Sequence, residues 1–372
     1  MMMLSSIAMG GAERNIVSVL PYLRGKGVSI DLVTLTTRWD SPLADEFAQT
    51  GIQRINLEAK RMVDPDAWGR FVKLLRDGRY DVIHSQDQDS NIYNALAHLR
   101  HKQTTVMTRH VLEEASDSWK ENVRARMLLV SARVGFDRVI AVSEATRQRF
   151  ASQTGLPLTK IETIYNGIHL EQFATRAERD ATRAQLGWKP EEKIVIMVAV
   201  LRRGKGHEVL FDAVPALRQR CPEARIKLVG DGQLHDALAQ SAQVHADVVE
   251  FMGQRMDVAR LLGAADVLVL PSWSEALPTV LIEAGAASLP VVATDVGGTS
   301  EIVVNGVTGW IVAPGDAASL ADRIAHVLEH PEESLRMGER ASERVNELFS
   351  FEQQAARTVD LYERVLRERK TS

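Results

Sequence analysis

A single cysteine, Cys221, stands among 372 residues. No internal disulfide can form on it and no metal site can be built on it alone, so the chain fits a reducing compartment. Long apolar runs are missing too. The longest uncharged one, residues 194–201, falls far short of the roughly 20 residues that cross a bilayer. The start has no basic n-region or cleavage pattern, and Gly10-Gly11 soon interrupts its apolar stretch. The expected location is therefore cytoplasmic. Neither sign of charge dominates: 45 Lys+Arg against 49 Asp+Glu leave a net −4, which argues for no nucleic-acid partner. No G-x-G-x-x-G follows an apolar run, which speaks against a nicotinamide dehydrogenase. Low-complexity tracts and short-period repeats are absent.

What is present is alternation. Short apolar runs at 1–4, 30–35, 52–57, 80–84, 104–107, 138–142 and 161–165 are separated by helix-like stretches, and the pattern repeats at 194–200, 226–229, 248–252, 267–270, 291–293 and 310–312. Strands linked by helices run parallel and are covered on both faces. Each series therefore predicts an α/β, doubly wound, Rossmann-like sheet. Asn166-Gly167 is a turn signal, and a charged, helix-prone segment, 171–186, follows it. These features put a boundary near residue 175, with domains 1–175 and 176–350. Residues 352–368 are amphipathic, with Ala355, Val359, Tyr362 and Val365 at three- and four-residue steps.

The most informative stretch is Leu268-Val-Leu-Pro-Ser-Trp-Ser-Glu275-Ala-Leu-Pro278-Thr-Val-Leu-Ile-Glu283. Residues 267–270 read as a buried strand and Pro278 as the first residue of a helix. A helix does not continue backwards through proline, so Glu275 belongs to the loop and Glu283 to the helix interior. Alone, two glutamates at this spacing are more often solvated side chains. Here they follow a nearly all-apolar strand, and Gly297-Gly-Thr-Ser-Glu301 follows the next apolar run. Parallel sheets bind ligands at that edge. Carboxylates accept hydrogen bonds from adjacent hydroxyls, and the free amides of a helix start suit phosphate. Sugar, ribose and diphosphate together make a sugar nucleotide.

Segments along nearly the whole chain carry a resemblance: Met9-Gly-Gly-Ala-Glu-Arg14, Asp81-Val-Ile-His84, Thr108-Arg-His110, Val139-Ile-Ala-Val-Ser143, Tyr165-Asn-Gly-Ile168, Lys205-Gly-His207, Gly230-Asp-Gly232 and the glutamate segment. In this order they resemble the retaining GT-B glycosyltransferases of family 4. The resemblance implies two domains facing a cleft, with the terminal helix, 351–372, packed back on the first. It also implies a metal-independent transfer from a UDP- or GDP-sugar to a glycan or lipid-linked hydroxyl in polysaccharide, lipopolysaccharide or glycolipid assembly.

Roles carry over residue by residue. Glu275 is expected on the transferred sugar, Glu283 on the ribose, and Thr279 and Val280 on phosphate through their amides. Two carboxylates would repel a diphosphate unless cations compensate, and the basic loop Arg202-Arg-Gly-Lys205 is placed to do so. Lys205 matches the family directly. Arg202 stands in for an arginine usually found where Val200 is. Gly10 and Gly11 are expected near donor phosphate or acceptor, and His110 near the reacting sugar, polarising a hydroxyl or assisting proton flow. His84 is read as structural. Further departures are Ala276 and Ser288, where the family has glycine, and His169, where it has aspartate.

Two D-x-D triplets, Asp64-Pro-Asp66 and Asp87-Gln-Asp89, could mark a divalent-metal site; the absence of a metal is the expectation. Residues 122–149 hold Arg124, Arg126, Arg133, Arg138, Arg147 and Arg149 around Met127, Leu128, Leu129 and Val130. Beside the ordinary reading of a solvated face, they suggest peripheral contact with anionic lipid at the inner face of a membrane. Other functions on the same fold are a sugar-nucleotide epimerase or hydrolase and a non-catalytic sugar-nucleotide-binding subunit. The base, sugar and acceptor are not legible.

Overall fold

The computed structural model describes residues 1–7, 11–36, 42–61, 64–78, 80–112, 119–173 and 178–371. It divides into two compact units, residues 1–167 with 351–372, and residues 168–350. Residue 175, the boundary expected from sequence, lies outside the described residues.

Unit 1 runs β1 (Met2–Leu4), α1 (Gly11–Gly25), β2 (Asp31–Thr34), α2 (Pro42–Gln49), β3 (Gln53–Asn56), α3 (Pro65–Gly78), β4 (Ile83–Ser85), α4 (Gln88–His101), β5 (Thr105–Arg109), α5 (Trp119–Val134), β6 (Arg138–Ala141), α6 (Glu144–Thr154) and β7 (Ile161–Thr163). Its seven strands lie in the order β3-β2-β1-β4-β5-β6-β7, all parallel. Met3, Ile83, Val106 and Met107 are completely buried, as strands covered on both faces must be.

Unit 2 runs α7 (Arg179–Leu186), β8 (Lys193–Val198), α8 (His207–Arg220), β9 (Ala224–Val229), α9 (His235–Ala242), β10 (Val249–Gly253), α10 (Val258–Ala264), β11 (Val267–Leu270), α11 (Thr279–Ala286), β12 (Val291–Thr294), α12 (Thr299–Ile302), β13 (Trp310–Val312), α13 (Ala317–Glu329) and α14 (Pro331–Leu348). Its six parallel strands lie in the order β10-β9-β8-β11-β12-β13. The strand series read from the sequence thus form the two expected Rossmann-like sheets.

The last helix, α15 (Phe351–Thr371), belongs to unit 1. Leu361 and Val365 pack with Val82, Val106, Ile140 and Ile164, Phe351 stacks on Tyr22 at 5.4 Å, and the Tyr362 hydroxyl lies 2.5 Å from His84 Nδ1. Among the described residues no helix is long and apolar enough to cross a membrane.

Strand order positions the sites. In a doubly wound sheet the chain leaves in opposite directions from two neighbouring strands, and the crevice between their carboxyl ends receives ligands. That switch falls between β8 and β11 in unit 2, and between β1 and β4 in unit 1. One detail differs from the sequence reading. Pro278 is the residue before α11 rather than its first, which suits a residue with no amide hydrogen to give. Ser288 takes a left-handed backbone, φ 53°, so this turn keeps a conformation that favours glycine although the residue is not one.

Candidate functional site

The two loops at the switch of unit 2 carry Lys205, after β8, and Glu275, after β11. They meet. Lys205 Nζ lies 2.7 Å from Glu275 Oε1, and the Ser272 hydroxyl donates to the same oxygen at 2.7 Å. The side chains are only 16% and 11% exposed, so each charge has lost most of its water and depends on the other. Among the described residues both contacts of Glu275 fall on Oε1, which leaves Oε2 to accept from a ligand hydroxyl.

The sequence builds this contact through backbone. Gly206 has φ 75°, and a Cβ there would sit 1.8 Å from the Pro271 carbonyl oxygen, so only glycine lets the basic loop touch the glutamate loop. The Trp273 amide donates to Gly204 O at 2.9 Å and its indole donates to Glu208 Oε1 at 2.8 Å. Ser272 O in turn accepts from the Thr294 hydroxyl on β12. The Lys205–Glu275 pair is therefore held from both flanks.

Thr279, Val280 and Glu283 occupy the partly exposed face of α11, whose other face, with Leu281, Ile282, Ala284 and Gly285, is buried. Steps of three and four residues put the three on one side, and the first amides of a helix have no intrahelical acceptor. Arg202 is exposed in the loop after β8; its amide donates to Val200 O at 2.8 Å. Val200, where the family carries arginine, is 54% exposed.

In unit 1, Gly10 lies outside the described residues. Gly11 opens α1 after β1 and is exposed. His110 ends the run of β5, and its Nε2 lies 3.0 Å from Oε1 of Gln86, a buried residue that follows β4. Its Nδ1 is buried with no partner among the described residues. Burial, with the Arg109 charge adding to it, lowers the His110 pKa to about 4. His84 is structural in geometry: buried, with Nδ1 at Tyr362 and Nε2 2.7 Å from the Thr108 hydroxyl, and its pKa falls to about 3, chiefly through burial.

Both D-x-D triplets serve as helix starts. Asp64 accepts from the amides of Lys60, Asp66 and Ala67. Asp87 caps α4 through the Ser90 amide and also accepts from the Ser5 amide and hydroxyl. Among the described residues no group of three His, Cys, Asp or Glu side chains is arranged to hold a metal ion.

Sequence reasoning missed Ser272, Gln86 and Glu13. The first two act through a neighbour, and only their place just after a strand marks them. Glu13, in the first turn of α1, has its pKa raised by burial and by the nearby Asp87 charge.

Comparison with known proteins agrees with this geometry. The profile of the glycosyl transferases group 1 matches residues 178–344, and that of glycosyltransferase family 4 matches residues 9–172. The chain is 28% identical to D-inositol 3-phosphate glycosyltransferase 2 of Catenulispora acidiphila, over 95% of this chain and 90% of that one. It is 31% identical to the D-inositol 3-phosphate glycosyltransferase of Streptomyces avermitilis, over 77% and 66%. Among solved structures, HepE of Anabaena in complex with UDP superposes with a TM-score of 0.84 at 24% identity, over 96% of this chain and 98% of that one, and the same protein is also known with UDP-glucose. With two Rossmann-like sheets, and with profiles that together span both units, the chain belongs to the group 1, family 4 glycosyltransferases of GT-B fold.

Proposed function

We propose that the chain moves a sugar from a nucleotide diphosphate sugar to a hydroxyl of a glycan or lipid-linked acceptor, with retention at the anomeric carbon. The observation that carries the donor reading is the Lys205–Glu275 pair at the switch of unit 2, whose contacts leave Oε2 of the glutamate without a partner among the described residues. Glu275 takes hydroxyls of the transferred sugar, Glu283 the ribose diol, and Lys205, Arg202 and the first amides of α11 the diphosphate. The bond from the anomeric carbon to diphosphate breaks, and the acceptor oxygen joins that carbon on the same face. The acceptor proton passes to the departing diphosphate, so no protein base is required. The cationic loop and the helix start stabilise the charge that develops. No metal enters this reaction. UDP and UDP-glucose complexes of HepE support a uridine nucleotide as donor.

A second observation supports an acceptor at a membrane, and with it a role in cell-surface polysaccharide or glycolipid assembly on the cytoplasmic side. Val123, Met127, Val130 and Val134 of α5 are 39–56% exposed at steps of four, three and four residues, and Leu96 and Leu99 of the adjoining α4 are exposed too. Arg100, Lys102 and Arg126 lie exposed near them. Apolar surface flanked by basic residues suits anionic lipid.

A thermal-shift panel of UDP, GDP and their sugars tests the donor. A ligand bound only by the folded chain raises Tm with its affinity, so a uridine nucleotide is expected to raise it and its sugar to raise it further. No shift with any nucleotide rejects the reading. Free sugar or an epimer released at full rate without acceptor would instead identify a hydrolase or epimerase. Unchanged cellular glycan in Glu275→Ala would identify a non-catalytic subunit.

A further inference from the structure

His110 was expected either to polarise a hydroxyl or to move protons, and its surroundings distinguish the two. The decisive neighbour is Gln86. Its amide has two unlike ends: the nitrogen donates to Met2 Sδ at 2.9 Å, and the oxygen faces His110 Nε2 at 3.0 Å. An amide oxygen only accepts, so the imidazole nitrogen opposite must carry the hydrogen. Turning the amide over would set its oxygen against the sulfur, which has no hydrogen to give, so the Met2 contact fixes the amide with its oxygen toward the ring. In a neutral imidazole with Nε2–H, Nδ1 is an acceptor and nothing else. That Nδ1 is buried and has no partner among the described residues, and a buried polar atom without one calls for an explanation such as a ligand.

We propose that Gln86 is a positioning residue that fixes His110 as the Nε2–H tautomer, so that the ring enters the reaction as a neutral hydrogen-bond acceptor at Nδ1 for a substrate hydroxyl. The ring is then neither a general acid nor a cation set against the diphosphate. Burial and the adjacent Arg109 charge act in the same direction. Thr108, on the strand leading to His110, is held by His84, itself held by Tyr362, so the strand that carries the ring is anchored by α15. The kinetic half of this proposal rests on the transfer reading above; the tautomer does not.

The test begins with the wild-type protein carrying ring-15N histidine, the His110 signals being assigned by their loss in His110→Gln. Nε2 is expected protonated and Nδ1 unprotonated from about pH 8 down to about pH 5.5. Gln86→Met, which keeps the volume but cannot accept, is expected to mix the two tautomers. It should lower kcat at least about tenfold, with little change in KM for the donor. In Gln86→Glu the carboxylate stabilises the cation, so the His110 titration should rise by about one pH unit or more, and turnover should fall as the ring charges. A wild-type ring with its hydrogen on Nδ1 overturns the tautomer, and one titrating near the ordinary value of about 6.5 overturns the neutral acceptor. Wild-type kcat in Gln86→Met, with the tautomers mixed, overturns the positioning role. Failure of the wild type to bind any nucleotide would strike the transfer reading and leave the ring signals readable.

Discussion

Lys205 and Glu275 each neutralise the other in a place that water scarcely reaches. Removing one partner strands the other, so Lys205→Met and Glu275→Gln are each expected to cost about 2 to 4 kcal/mol of stability. The double variant should cost less than the sum of the two, because no uncompensated charge remains. Activity should behave differently: both single variants and the double are expected to lose at least about a hundredfold in kcat/KM. Denaturant unfolding beside initial rates checks this, and additive stability losses would show that the two charges do not interact. The sequence disclosed both residues because a strand end followed by a polar loop is a local pattern. It did not disclose that they touch, since that depends on Gly206 lying against the Pro271 carbonyl, 65 positions along the chain. Ser272 and Gln86 stayed hidden for a similar reason: each acts on a partner that only folding brings near.

Among the elements, α5 shows how a helix can be legible only in part. Its arginines drew notice in the sequence, yet Arg133 is tied to the Thr154 carbonyl, and Arg147, on α6, bonds the Ile161 and Leu158 carbonyls. These two are structural contacts, whereas Arg126 is exposed and the Arg124 side chain lies outside the described residues. The exposed feature is apolar, the line from Val123 to Val134 beside Leu96 and Leu99. Met127→Glu with Val130→Glu is therefore expected to reduce sedimentation with anionic liposomes by about tenfold or more, with Tm little changed at these exposed positions. Equal sedimentation of variant and wild type would exclude this face from the membrane. For α11 the sequence reading was closer, because proline before a helix carries the same meaning in any context.

For the whole molecule, buried histidines set a limit on acid tolerance. His84 is lowered to about 3, and His110 and His207 each to about 4, in every case chiefly by burial. An unfolded imidazole takes its proton near pH 6.5. Above that pH these groups are neutral whether the chain is folded or not. Below it the unfolded chain binds protons that the folded one refuses, so stability falls by about 1.4 kcal/mol per pH unit for each histidine until pH approaches 4. Two of the three are in unit 1 and one is in unit 2, so unit 1 should weaken about twice as fast from this source. Calorimetry from about pH 7.5 to 4.5 reads this directly, and melting that stays flat below pH 6 would refute it. The overall architecture was the most legible level, because each sheet declares itself through apolar runs of three to seven residues separated by helix-like stretches. What the runs do not declare is strand order, and with it the switch between β8 and β11 that brings the paired loops side by side.

The return of α15 to unit 1 also bears on how the chain is born. On the ribosome, unit 2 is one unbroken stretch and can mature as soon as it emerges. The earlier-made unit must wait with Val82, Val106, Ile140 and Ile164 uncovered until Leu361 and Val365 arrive, so the half synthesised first is the half completed last.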